Sequence, residues 1–351
     1  MEEEVRRIHG AHRDYYLWLA EEANKVLLTQ EHAHWLERLQ AEDDNLRAAL
    51  EWSRDQPNEA EALARLVAAL EDYWAYTGRF SEGRQWAAEA LADRERVPSR
   101  YRIRMLFTAG RLALELGDYQ EAIVLLDESL ALARREGDRH GEAEALSNKG
   151  YVVQAHGDTA EAVTLHTEAL ARWRAIGDLE RVADALTSLG IAAVLAGDLP
   201  RAITLFEESI PLCHATNNRY YLTDALLSLG FALFLTGNLE RARAHLSEGL
   251  TLAQTYGTLP LIGRGLDEIA FIAGMSGQPD RAVRLLGASA SLRERHGFLM
   301  IEAYRHLYDQ LIARTREALG EAAMGELHAA GATLSTEQAI AYARETIGGG
   351  A

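Results

Sequence analysis

Apolar and polar residues alternate along this chain with the period of an α-helix, and short turns interrupt the pattern at a constant interval. In residues 185–202, ALTSLGIAAVLAGDLPRA, apolar positions at helical spacing run up to a Gly-Asp turn, and a second amphipathic segment follows it. The turn residues form two series, glycine at every position but one, each with a spacing of 40 residues: Gly117, Gly157, Gly197, Gly237 and Gly277, and then Gly137, Gly177, Asn217, Gly257 and Gly297. Two turns in each period predict two helices per repeat, stacked as a solenoid.

The pattern divides the chain into five parts. Residues 1–58 are predicted to form an N-terminal helical pair, and residues 59–100 a degenerate first repeat with its connector. Five regular repeats of 40 residues follow over 101–297. The period is lost in 298–347, which predicts C-terminal capping helices, and 348–351 are expected to form a disordered tail.

The first helix of each regular repeat carries a small residue at one fixed position. These residues are Gly110, Gly150, Gly190, Gly230 and Ala270. Glycine inside a helix costs roughly 1 kcal/mol relative to alanine, so its repeated use predicts a close approach of the paired helices. The residues expected to cap the second helices are Asp118, Asp158, Asp198 and Asn238. Ser335 and Gln338 are placed to form a capping box at the start of the last helix.

The spacing of an apolar residue, a Leu-Gly pair, an alanine and an aromatic residue resembles the tetratricopeptide repeat. In one repeat these positions are Leu186, Leu189, Gly190, Ala193, Gly197, Ala202 and Phe206. The period is 40 residues rather than the roughly 34 of that family, so either the helices or the loops are longer. The resemblance implies an all-α fold, a right-handed superhelical solenoid of antiparallel helix pairs.

Three further segments carry a second resemblance. They are residues 35–52, which contain WLERL and EDDNLRAALEW, residues 281–288, RAVRLLGA, and residues 334–343, LSTEQAIAYA. They resemble the bacterial signal-transduction NTPase regulators of the LuxR-type and maltose-activator-like kinds. In that family a tetratricopeptide array receives the signal, and an NTPase and a DNA-binding domain act on it. Because this chain has no GxxxxGK[ST] phosphate loop, the resemblance implies a sensor or scaffold region, with the NTPase and DNA-binding domains elsewhere in a full-length protein.

Charge and cysteine content limit the partners and the compartment. Lysine and arginine number 36 against 53 acidic residues, a net charge of −17 that repels phosphate backbones, so we expect no nucleic acid to bind this chain itself. Cys213 is the one cysteine, which excludes an internal disulfide. The start, MEEEVRRIHG, lacks the apolar core of a signal peptide, and no apolar run suits a membrane span. A cytoplasmic location without membrane attachment is therefore expected.

Candidate catalytic groups are sparse. His9 and His12 lie three residues apart on a predicted helix, but a metal site would need further ligands to converge there. No Gly-x-Ser-x-Gly elbow is present. We therefore expect no catalytic residue, no metal and no cofactor.

A binding groove is the more informative prediction. In tetratricopeptide arrays the first helix of each pair lines the concave face, so the resemblance implies a groove there. Counted from the small residue of each first helix, the predicted groove residues are Glu144, Asp184 and Asp224 (six before), Phe107, Thr187, Leu227 and Asp267 (three before), Arg111, Tyr151, Ile191, Phe231 and Phe271 (one after), and Phe234 (four after). Such a groove would be apolar and aromatic along its middle and acidic along one edge. Phe231, Phe234 and Phe271 either line it or pack between neighbouring first helices.

These features favour a non-enzymatic scaffold whose groove takes a peptide, a protein or a small-molecule ligand. A peptide with an apolar face and some positive charge would match the predicted groove. Two alternatives stay open at this point. One is a freestanding adaptor that assembles other proteins, and the other is an all-helical enzyme that uses Glu144, Asp184 and Asp224.

Overall fold

A computed structural model describes residues 2–27, 32–297, 300 and 305–348. Within these ranges the chain forms α-helices, one short 3-10 helix (Arg94–Arg96) and no strand, which confirms the all-α fold class. The helices of the N-terminal part are α1 (Glu2–Asn24), α2 (His32–Ala41), α3 (Asp43–Asp55), α4 (Ala60–Ala69), α5 (Glu71–Thr77) and α6 (Phe80–Ala92). No helix in these ranges combines the length and the apolar character that crossing a bilayer requires.

The N-terminal part contains more helices than the sequence pattern predicts. Residues 2–27 and 32–58 hold three helices rather than a pair, because the chain turns at Glu42, where φ is −101° and ψ is 11°. The Glu42 carboxylate accepts hydrogen bonds from the Tyr16 hydroxyl (2.8 Å) and the Asn45 amide (2.7 Å). A similar interruption at Leu70 separates α4 from α5 in the degenerate repeat.

The regular part keeps its period in every helix pair. Its first helices are α7 (Ser99–Glu115), α9 (Arg139–Ala155), α11 (Leu179–Leu195), α13 (Arg219–Leu235) and α15 (Leu259–Met275). Its second helices are α8 (Tyr119–Glu136), α10 (Thr159–Ile176), α12 (Leu199–Thr216), α14 (Leu239–Tyr256) and α16 (Pro279–His296). First helices have 17 residues and second helices 18, and the turns are as short as 116–118 and 137–138. The additional length of this repeat therefore lies in its helices.

The chain divides into two compact units. The first unit is Met1–Val152 with Ala171–Ile176, and the second is Val153–Leu170 with Gly177–Ala351. In the first unit α7 packs on α8 around Phe107. In the second unit α11 packs on α12, α13 on α14 and α15 on α16, and one core cluster surrounds Phe206.

Paired helices approach most closely at the small residue of the first helix. A Cβ atom added at Gly190 would lie 2.4 Å from Cε1 of Phe206, and one added at Gly230 would lie 2.6 Å from Cγ of Leu246. Carbon atoms do not approach so closely in packed proteins, so only glycine allows this contact. The predicted packing role of these glycines is confirmed.

The turns follow the predicted chemistry except at Asn238. The turn glycines have positive φ, and at the equivalent position Asn217, with φ of 53°, is the one non-glycine residue of positive φ in the described ranges. Side-chain oxygens of Asp118, Asp158 and Asp198 accept the backbone N–H three residues later and so cap the second helices. Asn238 makes no such bond, so the prediction for this residue is wrong.

The last helices belong to the second unit. They are α17 (Arg305–Leu319), α18 (Glu321–Ala332) and α19 (Thr336–Gly348). α18 packs on α16, and α19 packs on α15. The capping box is confirmed, since the Ser335 N–H donates to Oε1 of Gln338 (2.8 Å) and the Gln338 N–H donates to Oγ of Ser335 (3.3 Å). Of the expected tail, Gly348 is the last residue of α19, and 349–351 lie outside the described residues.

Candidate functional site

The first helices of the second unit share one line of side chains. Counted from Gly190, Gly230 and Ala270, the line takes the positions six before, two before, one after and five after, which is the i, i+4, i+7, i+11 spacing of a single helix face. We call this line the second-unit stripe: Asp184, Ser188, Ile191 and Leu195 on α11, Asp224, Ser228, Phe231 and Leu235 on α13, and Arg264, Glu268, Phe271 and Met275 on α15. In each helix the first two members are polar and the last two are apolar.

The apolar half of the stripe is partly open. The rings of Phe231 and Phe271 meet edge to face, with centroids 5.6 Å apart and planes at 74°. Phe231 is buried between the first helices, whereas Phe271 is half-buried. Leu235 and Met275, the last stripe members on α13 and α15, are 36% and 44% exposed. This half therefore presents an apolar surface to solvent, supported by the packed rings of Phe231 and Phe271.

The polar half of the stripe is organised by Arg264. Its Nη2 atom lies 2.5 Å from Oδ1 of Asp224 and also donates to the carbonyl oxygen of Asp224 at 3.1 Å. Its Nε atom lies 3.6 Å from Oε1 of Glu268, one turn further along α15. Because its side chain is only 14% exposed, Arg264 forms a largely desolvated ion pair between α15 and α13.

Glu268 is the least compensated group of the stripe. The residue is 6% exposed, and its Oε2 atom makes no hydrogen bond to any of the described residues. Burial raises the pKa of Glu268 to about 7, the Arg264 guanidinium opposes this shift, and the charges of Asp224 and Asp267 add to it. Near neutral pH the Glu268 carboxyl is therefore partly protonated.

Ser228 differs from its counterpart one repeat earlier. The Ser188 hydroxyl donates to the carbonyl oxygen of Asp184 at 2.9 Å. On α13 the corresponding carbonyl, that of Asp224, accepts from Arg264 instead, and the buried Oγ of Ser228 makes no hydrogen bond in the part of the chain that the structure describes. Buried polar atoms are paired in the great majority of cases, so Ser228 and Glu268 together mark an incomplete polar site.

The first unit carries the same line of positions on α7, where two arginines lie close to buried carboxylates. The Thr108 hydroxyl donates to Oε2 of Glu71 (2.7 Å), and Nε of Arg111 lies 2.8 Å from Oε1 of Glu71. Nη1 of Arg104 donates to Oε1 of Glu144 at 2.7 Å. Glu71 and Glu144 therefore each have an arginine partner within the unit, whereas burial raises the pKa of Glu115 at the end of the same line.

The predicted groove residues fall into two groups in the structure. The positions six before and one after the small residue lie on the line described above: Glu144, Asp184, Asp224, Arg111, Tyr151, Ile191, Phe231 and Phe271. Phe234 is half-buried and packs against the core cluster around Phe206. The positions three before the small residue, Phe107, Thr187, Leu227 and Asp267, face the second helix of their own pair.

Contacts within the pairs explain this correction. Thr187 shares a hydrogen bond with Ser209 of α12 (2.8 Å), and Phe107 packs in the α7–α8 core. A Cβ atom on Gly249 of α14 would meet the Leu227 side chain at 2.8 Å. Oδ2 of Asp267 accepts from Nη1 of Arg293 on α16 at 2.5 Å. A shift of one residue turns a side chain by about 100° around the helix, so the position that shares a face with the acidic residues is two, not three, residues before the small one.

The sequence prediction therefore missed Ser188, Ser228 and Glu268. A helical count that starts from the acidic position, with steps of four and then three residues, would have selected them. The three predicted residues Phe107, Thr187 and Leu227 are buried in helix-pair cores, and we leave them outside the proposed binding surface.

A cavity of about 400 Å³ lies in the second unit beside the last stripe residue of α11. It is lined by His156, Gly157, Thr159, Leu195, Arg305, His306 and Asp309. Leu195 belongs to both the stripe and the cavity, and the last three residues belong to α17. The start of α17 thus adjoins the apolar end of the stripe.

Groups suited to metal binding or to nucleophilic chemistry are not assembled in the described part of the chain. No three His, Cys, Asp or Glu side chains converge there as ligands of a metal ion would. Cys213 is buried in α12, and burial raises the pKa of its thiol to about 11, which suppresses the reactive thiolate.

Two family models described as tetratricopeptide repeat match this chain, over residues 141–213 and 107–139. A protein of Mycobacterium bovis and two of Mycobacterium tuberculosis, named as HTH-type transcriptional regulators, are each 32% identical to it over 160 residues. The match covers 42% of this chain and 18% of each regulator, so it spans less than a fifth of the length of these relatives.

Solved structures are similar over most of the chain. A Rap protein complexed with Competence and Sporulation Factor has a TM-score of 0.58 and 13% identity, and the match covers 92% of this chain and 99% of that one. NprR in complex with its cognate peptide NprX has a TM-score of 0.56 and 13% identity, with 89% and 84% covered. Residues 107–139 and 141–213 are thus tetratricopeptide repeats, and the chain has the all-helical fold of these solved proteins.

Proposed function

We propose that this chain is a non-enzymatic scaffold that binds a peptide along the second-unit stripe. The observation that carries the proposal is the division of the stripe into a polar and an apolar half in three successive first helices. A peptide with one apolar and one polar side matches that division. The half-buried Phe271 and the exposed ends of Leu235 and Met275 would supply the apolar contacts.

A peptide is also the ligand class that the solved proteins of this fold support. The Rap protein was solved with Competence and Sporulation Factor, NprR with its cognate peptide NprX, and a Rap conjugation gene regulator with the Phr* peptide. At 13% identity the likeness concerns the fold. These structures therefore support a peptide as the class of ligand, and they do not define the sequence of that peptide.

We further propose that the chain acts as the sensor region of a larger transcriptional regulator. The names of the mycobacterial relatives and the small share of their length that is matched support this role. Ligand binding to the array would then alter the NTPase and DNA-binding regions through a change of state. A native transcript that encodes those regions in the same reading frame would support the role, and one that encodes the array alone would favour the adaptor alternative.

Selection from a display library of short, linear, random-sequence peptides tests peptide binding. The chain should enrich a related set of peptides, and Phe271→Ala should weaken their binding by about tenfold, because it removes the half-buried ring of the apolar half. Leu239→Ala is the matched control, since Leu239 is 50% exposed on α14 and lies off the stripe. Failure to enrich any peptide, or equal effects of the two variants, would contradict the proposal.

The non-enzymatic part of the proposal has its own test. In the NTPase regulators that the sequence resembles, nucleotide hydrolysis belongs to a domain other than the array. The purified chain should therefore release no phosphate from ATP above the rate of a buffer blank. Hydrolysis that copurifies with the folded chain would overturn this part.

A further inference from the structure

The polar half of the second-unit stripe holds more negative charge than its own cations balance. Asp224 and Glu268 share one guanidinium, that of Arg264, which is close to Asp224 (2.5 Å) and more distant from Glu268 (3.6 Å). Asp267 does not change this balance, because it has its own partner, Arg293 of α16. A buried carboxylate without a close counter-ion is costly, so Glu268 is held in a partly protonated form.

Ser228 gives a second and independent sign that a group from outside completes this site. The residue is 96% buried, and its Oγ has no hydrogen-bond partner within the described ranges. The equivalent polar side chains of three other repeats are all bonded: Thr108 to Glu71, Asn148 to the carbonyl of Glu144, and Ser188 to the carbonyl of Asp184. Ser228 is different because Arg264 occupies the carbonyl that its hydroxyl would otherwise use.

We propose that this site receives a basic side chain of the bound peptide, whose ammonium or guanidinium group donates to Oε2 of Glu268 and to Oγ of Ser228. Both atoms can accept, and a cation has only donors to offer, so the chemistries are complementary. Phe271 lies one turn after Glu268 on α15, where its half-buried ring can pack against the alkyl stem or the charge of the ligand. This inference rests on the proposed function, because the peptide supplies the cation.

Entry to the site passes the members of the stripe that solvent already reaches. Asp224 and Phe271 are half-buried, whereas Glu268 and Ser228 are buried. Asp224 would attract the cation first, and a modest movement of the Arg264 side chain would then open the way to Glu268. A ligand carboxylate or phosphate at the same place would be repelled by Asp224 and by ionised Glu268.

Proton release should accompany binding of the cation. The charged and titratable groups around Glu268 are Arg264 and Asp267 on α15, Asp224 on α13, and, beyond Asp267, Arg293 on α16 and Tyr308 on α17. In the described residues, α14 and α19 place no charged group that shifts the pKa of Glu268. A bound cation favours the ionised carboxylate, so affinity should rise with pH up to the region of about 7, where Glu268 ionises.

Two small probes of matched shape test the cation site directly. They are N-acetyl-L-arginine amide and N-acetyl-L-citrulline amide, which differ in charge. By isothermal titration calorimetry the full chain should bind the arginine probe at least about tenfold more tightly than the citrulline probe. The preference should be larger at about pH 8 than at about pH 6, and Glu268→Gln should remove it. Equal affinity for the two probes, or a preference that survives Glu268→Gln, would overturn the inference.

Further variants keep the test decisive. Ser228→Ala should weaken binding of the arginine probe by about two- to fivefold with no change of protein charge. Glu240→Gln removes an exposed carboxylate of α14 that lies off the stripe, and it should leave binding unchanged. If Glu268→Gln does not fold by circular dichroism, Ser228→Ala carries the test. Full affinity in that variant, or an equal loss in Glu240→Gln, would count against the site.

The peptide library separates this inference from the proposed function. Enriched peptides should carry an arginine or lysine at a constant position, and its replacement by citrulline or norleucine should lower affinity in parallel with Glu268→Gln. Enriched peptides that tolerate this replacement would sustain the proposed function and reject the cation site. A library that enriches nothing, together with arginine-probe binding of the expected kind, would reject the peptide ligand and sustain the cation site.

Discussion

Two faces of the same first helices behave differently in the second unit. On the face toward the second helix, Gly190 and Gly230 both lie against a large apolar side chain, with closely similar geometry. On the stripe face, Ser188 is bonded to its own helix, whereas Ser228 is not, because Arg264 intervenes. The packing within pairs is thus repeated from one pair to the next, whereas the hydrogen bonding on the stripe differs between repeats because single residues differ.

The largest contrast between the two faces should appear in the pH dependence of stability. Folding raises the pKa of Glu268 from 4.5 to about 7, so between these values the folded chain holds a proton that the unfolded chain has lost. The free energy of unfolding, wild type minus Glu268→Gln, should therefore fall by roughly 3 kcal/mol as the pH rises through this window. Urea denaturation at several pH values measures it.

Two comparisons separate the effect of Glu268 from other causes of pH dependence. His166, whose pKa burial lowers to about 3, destabilises the fold as pH falls below 6.5, but it does so in both proteins and cancels in the difference. Glu240→Gln, which removes an exposed carboxylate of α14, is the control variant for the loss of one negative charge. A difference for Glu268→Gln that does not change with pH would mean that Glu268 ionises normally in the folded chain.

Overpacking the face toward the second helix should give the next largest effect on stability. Gly190→Leu forces carbon atoms into the space of the Phe206 ring and should lower the free energy of unfolding by roughly 1–3 kcal/mol. Gly325→Leu is the control, since no atom of the described residues lies within 4 Å of a Cβ added at this glycine of α18. The control should be neutral or slightly stabilising. Equal stability of the two variants in urea would show that the close approach at Gly190 is not needed.

The boundary between the two faces can be tested at Thr187. Its hydroxyl bonds to Ser209 (2.8 Å) and to the carbonyl of Ala183 (3.0 Å), so Thr187→Val should cost about 1 kcal/mol of stability and leave binding of the arginine probe unchanged. Thr204→Val is the control, because it removes an exposed hydroxyl of α12 bonded only to its own helix. Weaker probe binding by Thr187→Val would place this residue on the stripe after all.

The smallest effect concerns the caps of two second helices. Asp198 accepts from the Arg201 N–H at 3.3 Å, and Asn238 at the equivalent position makes no cap bond. Asp198→Ala should therefore cost about 0.5–1 kcal/mol and Asn238→Ala distinctly less. Thermal or urea unfolding distinguishes the two, and similar losses would indicate that Asn238 caps its helix in solution.

Local chemistry made much of the fold predictable. The turn glycines, the small residues at Gly190 and its equivalents and the capping box at Ser335 each follow from conformational preferences of a few neighbouring residues. The interruptions at Glu42 and Leu70 did not follow, because neither site contains glycine or proline. At Glu42 the turn goes together with hydrogen bonds from the Tyr16 and Asn45 side chains.

The line of side chains that forms the candidate site was predicted in part. Asp184, Asp224, Phe231 and Phe271 lie on it, and the polar position between the acidic and the aromatic residues is one residue later than the sequence count gave. The unpaired state of Ser228 could not be predicted from its own repeat. It depends on where Arg264, a residue of the next repeat, places its guanidinium group.

The brevity of the turns in the regular part has a consequence for how such a chain can diversify. Turns such as 116–118 and 137–138 leave little loop to lengthen, and their glycines keep a fixed backbone shape. New preferences must then arise by exchange of side chains on the helices or by exchange of whole helix pairs. The regular pairs have helices of the same lengths and similar short turns. A pair such as α13 with α14 could therefore be transferred as a unit to another position of the array, and its stripe residues would be transferred with it.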